Sequence, residues 1–189
     1  MFMNAPGLKV IAPTMPADMK GLLKSAIRDD DPVLVFEDTT LWTTKEDVST
    51  DPEYLVPIGK ADVKLEGSDI TIIAIAGAMK PALAAAKALK VEGISVEVVD
   101  PRTLVPLDKE SLIRSVAKTG RLVVVDVANR TCNAAAEIAA MIAEEAFESL
   151  KRPIRRLSPP DVHVPFSPAL ERSLFPTQGT IVAAVKSLL

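Results

Sequence analysis

Apolar residues fall along this chain in two rhythms. A continuous apolar run at 70–76 (ITIIAIA), mostly apolar runs at 8–12 (LKVIA), 33–37 (VLVFE), 94–100 (ISVEVVD) and 121–127 (RLVVVDV), and the short segment 154–157 (IRRL) are mostly rich in β-branched side chains and bounded by glycine, proline or charge. Such runs predict buried strands. Between them apolar residues recur every three to four positions, which predicts helices. Over 14–27, Thr14 is the expected cap, Pro16 and Asp18 suit the first turn, and Met19, Leu22, Leu23, Ala26 and Ile27 share one face. Further helices are expected over 79–93, ended by Gly93; over 107–118, running into Gly120; over 133–150, with Ile138, Met141, Ile142 and Phe147 facing the core; and over 179–189.

Strands apolar on both faces and separated by helices imply a mostly parallel sheet covered on both sides, a three-layer α/β/α architecture. One stretch breaks the alternation. Residues 38–63 (DTTLWTTKEDVSTDPEYLVPIGKADV) are polar and aperiodic, with Pro52, Pro57 and Gly59, and read as a linker or long surface loop. The expected division is 1–47, a linker at 48–59, and 60–189.

Composition narrows the chemistry. The 189 residues are 48% hydrophobic with net charge -3 and interspersed signs, so nothing points to nucleic acid or an anionic membrane surface as partner. No apolar run reaches the ~18 residues of a membrane span, and the opening MFMNAPGLKV has neither the basic flank nor the apolar core of a signal peptide. A single cysteine, Cys132, fits a reducing compartment, and the expected location is cytoplasmic. With one histidine, His163, there is almost no material for a histidine-zinc site or a Cys-His nucleophile pair. Carboxylates are plentiful, so a hard cation with oxygen ligands remains open.

The stretch SAIRDDDPVLVFE at 25–37 bears on that. Asp29, Asp30 and Asp31 stand where a helix must end before Pro32, at the pole already made negative by free carbonyls. Two readings stand side by side: aspartates that stop the helix through local turns, or acids neutralised by Arg28 or a bound cation. Elsewhere, Arg102 after a strand end is expected in a structural ion pair with Asp100 or Asp108. Gly77, between strand and helix, lacks the companions of a phosphate loop. His163 lies among prolines as a loop residue, and Trp42 is expected to pin the polar stretch to a neighbouring surface.

PGLKVIAP, KGLLKSAIRDDDPV, VPIGKADV, GISVEVVDPRTLVPLDKESL, KTGRLVVV and AAEIAAMIAEEAF, in this order and spacing, closely resemble the beta subunit of the thiamine-diphosphate-dependent first component of 2-oxo acid dehydrogenase complexes, of the pyruvate, branched-chain and acetoin type. The resemblance runs from Phe2 to Leu189. It implies that 1–47 is the end of a pyrimidine-binding domain and 60–189 a transketolase-type C-terminal domain. It also implies that roughly the first half of such a subunit, with its cofactor-activating glutamate and a histidine, has no counterpart here, so this chain carries no catalytic or cofactor-binding residue and is not active alone.

From the resemblance follow thiamine diphosphate with magnesium in the full assembly, and oxidative decarboxylation of a 2-oxo acid, pyruvate foremost, with acyl transfer to lipoate. The implied partners are an alpha subunit, a second beta subunit in a heterotetramer, and the subunit-binding domain of the acyltransferase core. A structural potassium is implied on Ala26, Ile27, Asp29 and Asp31, with Asp30 facing solvent. Departures from the pattern are Pro101 in place of leucine, Asn133, Ala134 and Ala135 in place of a glycine-rich turn, and Lys151 in place of an acid near Glu144, Glu145 and Glu148, which read either as a solvated face or as part of the docking surface the resemblance implies. The alternatives are a non-catalytic assembly module, or a C-terminal piece of a transketolase or deoxyxylulose-phosphate synthase.

Overall fold

A computed structural model describes residues 2–189. Two sheets organise the chain. The larger has the order β3-β5-β4-β7-β8, formed by β3 (Asp62–Leu65), β4 (Ile70–Ala74), β5 (Val96–Asp100), β7 (Leu122–Val125) and β8 (Arg155–Leu157). All pairs are parallel except β3 against β5. Every residue of β4, β5 and β7 is buried. Alternation then divides the core: Ile72, Val98 and Val123 point to a cluster with Ala82, Leu89, Ile181 and Val185, whereas Ile73, Val99 and Val124 point to one with Leu112, Val116, Ile138 and Ile142. The first face is covered by α2 (Met79–Val91) and α5 (Gln178–Lys186), the second by α3 (Lys109–Thr119) and α4 (Ala134–Glu145). This is the expected three-layer arrangement.

Helix ends follow their local chemistry. Asp108 caps α3 by accepting from Ser111 N at 3.3 Å, and Gly120 closes it in the left-handed region at φ 76°. Asn133 caps α4 through Ala136 N at 2.9 Å. That helix stops at Glu145, short of the expected 150, and a 3₁₀ turn at Phe147–Ser149 turns Phe147 out to 70% exposure. Phe147 is therefore surface, not core, because the last turn of the expected helix never forms.

The second sheet is small, with order β2-β1-β6. β1 (Lys9–Ile11) and β2 (Val33–Val35) are parallel around α1 (Pro16–Ile27), and β6 (Thr103–Val105) joins β1 antiparallel. Thr14 does not cap α1; Met15 is the cap residue, without a side-chain bond, since the Thr14 hydroxyl is bonded to Asp100 instead. Nor is the expected apolar face all buried: Leu22 is, but Leu23 and Ile27 face solvent at 40% and 76% exposure. The polar stretch folds along α1, with Val56 buried against Ile11 and Leu22 and with Tyr54 and Ile58 packed beside it. Gly21 permits this, because a Cβ there would collide with Val56. Among the described residues no helix is long and apolar enough to cross a membrane.

Candidate functional site

Where the two sheets meet, the chain buries an ion cluster. Asp100 ends β5, wholly buried, beside the loop from β1 to α1. Its Oδ1 accepts Arg102 N at 2.8 Å, and its Oδ2 is bonded to the Thr14 hydroxyl. Arg102 sits in the left-handed region at φ 54°, a strained state for a residue with a Cβ. The turn sends its guanidinium away from Asp100, to Asp18 Oδ1 at 2.8 Å and to the carbonyls of Lys60 at 3.0 Å and Ala61 at 3.3 Å. The expected ion pair with Asp100 or Asp108 is thus replaced by one with Asp18. Lys64 completes the cluster, bonded to Asp18 and 2.6 Å from Asp62.

Electrostatics at this seam are uneven. Burial pushes Asp100 up to about 7, against the Thr14 and Arg102 donors that favour its charged form. Burial also works against the Lys64 charge, yet the Asp18 and Asp62 carboxylates outweigh it and hold the ammonium above its usual range. Backbone bonds tie the seam together: Ala12 N donates to Arg102 O at 2.8 Å, Gly59 N to Thr103 Oγ1 at 2.9 Å, and Ala61 N to Asp108 Oδ2 at 3.0 Å.

The acidic turn lies on the opposite end of α1. Lys9 Nζ reaches Asp29 at 2.7 Å and Asp31 at 3.1 Å, and Asp31 N donates to Asp29 Oδ1 at 2.9 Å. The Lys9 ammonium holds the Asp29 carboxyl below the usual range. Arg28 turns to Glu53 at 3.0 Å instead of the aspartates. The Ala26 carbonyl accepts Asp29 N at 3.3 Å, Ile27 stands largely exposed, and Asp30 is exposed. One lysine against three acids and a helix end leaves the turn negative, with Lys9 engaging both Asp29 oxygens and one oxygen of Asp31.

The C-terminal ends of the large sheet are occupied by the chain itself. Gly77 N donates to Asp38 Oδ2 at 3.0 Å, and a Cβ on Gly77 would collide with that carboxylate, so the turn that resembles an anion site holds an internal acid. Asp126, after β7, accepts Ala128 N at 3.0 Å and Ala135 N at 3.2 Å; its burial pushes the carboxyl up. A cleft of about 640 Å³ lies near the start of α4, lined by Leu104, Lys109, Cys132, Glu137 and Met141 among others. Trp42 is 70% exposed at a second cleft of about 230 Å³, beside Thr14, Met15 and Glu37. His163 is exposed in an irregular segment. Glu144 and Glu148 face solvent, Glu145 pairs with Lys109 at 2.6 Å, and the Lys151 side chain lies over Gly120. Among the described residues, no group of three or more histidine, cysteine or acidic side chains is arranged to hold a metal ion.

Of the residues that carry the seam, the sequence pattern passes over Lys64 and gives Asp18 and Thr14 only helix-terminal roles. The available signal was an acid in the first turn of α1, read only as a helix-pole residue. The pattern also passes over Glu97, buried mid-strand in β5 and held by Ser115 and Lys118.

With this geometry in place, comparison with known proteins is direct. The family model described as "Transketolase, C-terminal domain" matches residues 59–181. The chain is 46% identical over 189 residues to the acetoin:2,6-dichlorophenolindophenol oxidoreductase subunit beta of Bacillus subtilis (strain 168), covering 100% of this chain and 55% of that protein. It is 44% identical over 186 residues to the mitochondrial pyruvate dehydrogenase E1 component subunit beta of Dictyostelium discoideum, covering 97% of this chain and 52% of that one. The solved structure of a split-gene transketolase, an inactive beta4 tetramer, superposes with a TM-score of 0.81 at 29% identity, covering 100% of this chain and 59% of that chain. The chain spans about half the length of the curated relatives it matches.

Proposed function

This chain belongs to the transketolase C-terminal domain family, and from that premise we propose that it is part of the beta subunit of a 2-oxo acid dehydrogenase first component. The observation that carries the reading is identity of 44–46% along essentially the whole chain to beta subunits named for acetoin and pyruvate chemistry. In the full assembly the reaction is oxidative decarboxylation of a 2-oxo acid, pyruvate foremost, with acyl transfer to lipoate. Thiamine diphosphate, bound there with magnesium, supplies the electron sink that makes loss of carbon dioxide feasible.

The residues of this chain serve scaffold and assembly. Its buried carboxylates Asp18, Glu97, Asp100, Asp108 and Asp126 are all bonded within the fold. The chain alone is inactive on this reading. Its partners are an alpha subunit, a second beta subunit and the subunit-binding domain of the acyltransferase core, with the exposed acids Glu144 and Glu148 as the docking face. A purely non-catalytic assembly role is the second reading, favoured by the likeness to a split-gene transketolase tetramer that is itself called inactive.

The acidic turn enters the same proposal. A potassium ion would take the main-chain oxygens of Ala26 and Ile27 and the carboxylates of Asp29 and Asp31, with Lys9 sharing the acids. Its test is a melting temperature higher in potassium than in sodium chloride at equal ionic strength, lost in Asp29→Asn; equal melting in both salts rejects the ion.

For the function, the purified chain is mixed with a matching alpha subunit and thiamine diphosphate, and carbon dioxide release from pyruvate is followed. The expected result is no turnover by the chain alone or in the mixture, together with calorimetric binding to the acyltransferase docking domain. Turnover in the mixture would overturn the scaffold reading, and absence of binding would overturn the assembly role.

A further inference from the structure

We propose that Asp100 is a proton-operated latch: the seam joining the small α/β unit to the large sheet is closed while Asp100 carries a proton and loosens when the carboxyl ionises. The charge count at the seam points there first. Around Asp100 are Lys64 of β3, Asp18 of α1 and Asp62, which pairs with it across β3 and β5; Arg102 gives it a backbone N–H while its guanidinium goes to Asp18, and the β1–α1 loop contributes the Thr14 hydroxyl. Arg102 and Lys64 are matched by Asp18 and Asp62, so the cluster is neutral when Asp100 is protonated. Ionisation adds a buried negative charge that only Lys64, already shared between Asp18 and Asp62, can offset at a distance, and such a charge is costly.

The location gives that charge leverage. Asp100 is one residue position at which the two units touch through a side chain, by way of Thr14, and through backbone, by way of the Arg102 turn. The carbonyl of Arg102 accepts Ala12 N, and the next residues pair with β1 as Ile11↔Thr103 and Val10↔Val105. Hydrating Asp100 therefore requires moving the turn that holds β6 to β1. A protonated carboxyl can donate to the Thr14 hydroxyl and stay dry. Burial sets the changeover, holding the carboxyl up at about 7 against an ordinary 3.8. Because the closed-state value is the raised one, the latch contribution is fully present below the ordinary carboxylate range and is lost as pH rises through neutrality.

Amide hydrogen exchange on the chain tests this. Exchange of Ala12 and Gly59, corrected for intrinsic base catalysis, is expected to accelerate at least tenfold between about pH 5.5 and 8 and then level off. Val98 in the central sheet serves as reference and is expected to stay unchanged. Asp100→Asn should remove the acceleration and keep the seam slow. Asp62→Asn leaves a cation unmatched, favours the ionised Asp100, and should move the acceleration to lower pH. A flat corrected profile, an acceleration that survives Asp100→Asn, an Asp62→Asn profile unmoved or moved upward, or a parallel change at Val98 would each overturn the latch.

Discussion

The two α/β units enclose their cores to very different degrees. In the large sheet, β4 and β5 are buried at every position, because helices lie on both faces. In the small unit, β2 is only half-buried throughout, and Leu23, Ile27 and Phe36 remain exposed around it. Two strands and one helix enclose little apolar area, so the small unit is extended by β6 from the larger one and is fastened by ions and backbone bonds as well as by apolar area. The forces differ in kind: the large unit stands on burial, which is non-directional and additive, while the small one hangs on a few directional contacts that fail singly.

Substitutions can break that contrast. Ile72→Ala, at a fully buried position of the central strand, is expected to cost about 4 kcal/mol by transfer and cavity terms, seen as a lower denaturant midpoint for the whole chain. Arg102→Ala leaves Asp18 buried with one partner fewer and is expected to cost about 3 kcal/mol, less than a fully enclosed pair because Lys64 remains. Its diagnostic is faster proteolysis near residues 48–58 before the large sheet melts. Leu22→Ala should cost about 2 kcal/mol, the low end for a core leucine, since the small unit can collapse around it. A Leu22→Ala loss as large as that of Ile72→Ala would erase the distinction between the units.

The smallest expected effect is at the acidic turn. Lys9→Ala should let the Asp29 carboxyl return toward the ordinary range, measured by NMR titration, with little change in melting at neutral pH. Since the Lys9 contact lowers Asp29, the stabilisation it gives is present above the ordinary carboxylate range and fades as pH falls through the lowered value. Asp100 has the opposite sign, so the two ends of α1 respond oppositely to acid. Finding both responses with the same sign would refute that assignment.

Much of the fold was legible along the chain. Six apolar runs became strands β1, β2, β4, β5, β7 and β8, and Gly93 and Gly120 ended helices in the left-handed region. The strands β3 and β6 were not foreseen: Asp62–Leu65 and Thr103–Val105 are short edge strands whose pairing comes from neighbours distant in sequence. Phe147 was misjudged because periodicity does not say where a helix stops. The Arg102 partner was misjudged for a related reason, as proximity in sequence favoured Asp100 and Asp108, whereas a left-handed turn points the guanidinium at Asp18. Family membership, in contrast, was legible from ordered wording alone.

By itself the sequence determined the layered α/β core, the breaks between its elements and its kinship, because burial and backbone propensity act on local pattern. Only the tertiary structure decided which charges meet. Ion pairing depends on side chains brought together across 84 residues, as for Arg102 and Asp18, and no local rule encodes that distance. Nor could the chain alone reveal that Asp38 fills the turn at Gly77, or that Thr14 serves Asp100 instead of its own helix, since each is a choice among competing partners settled by packing.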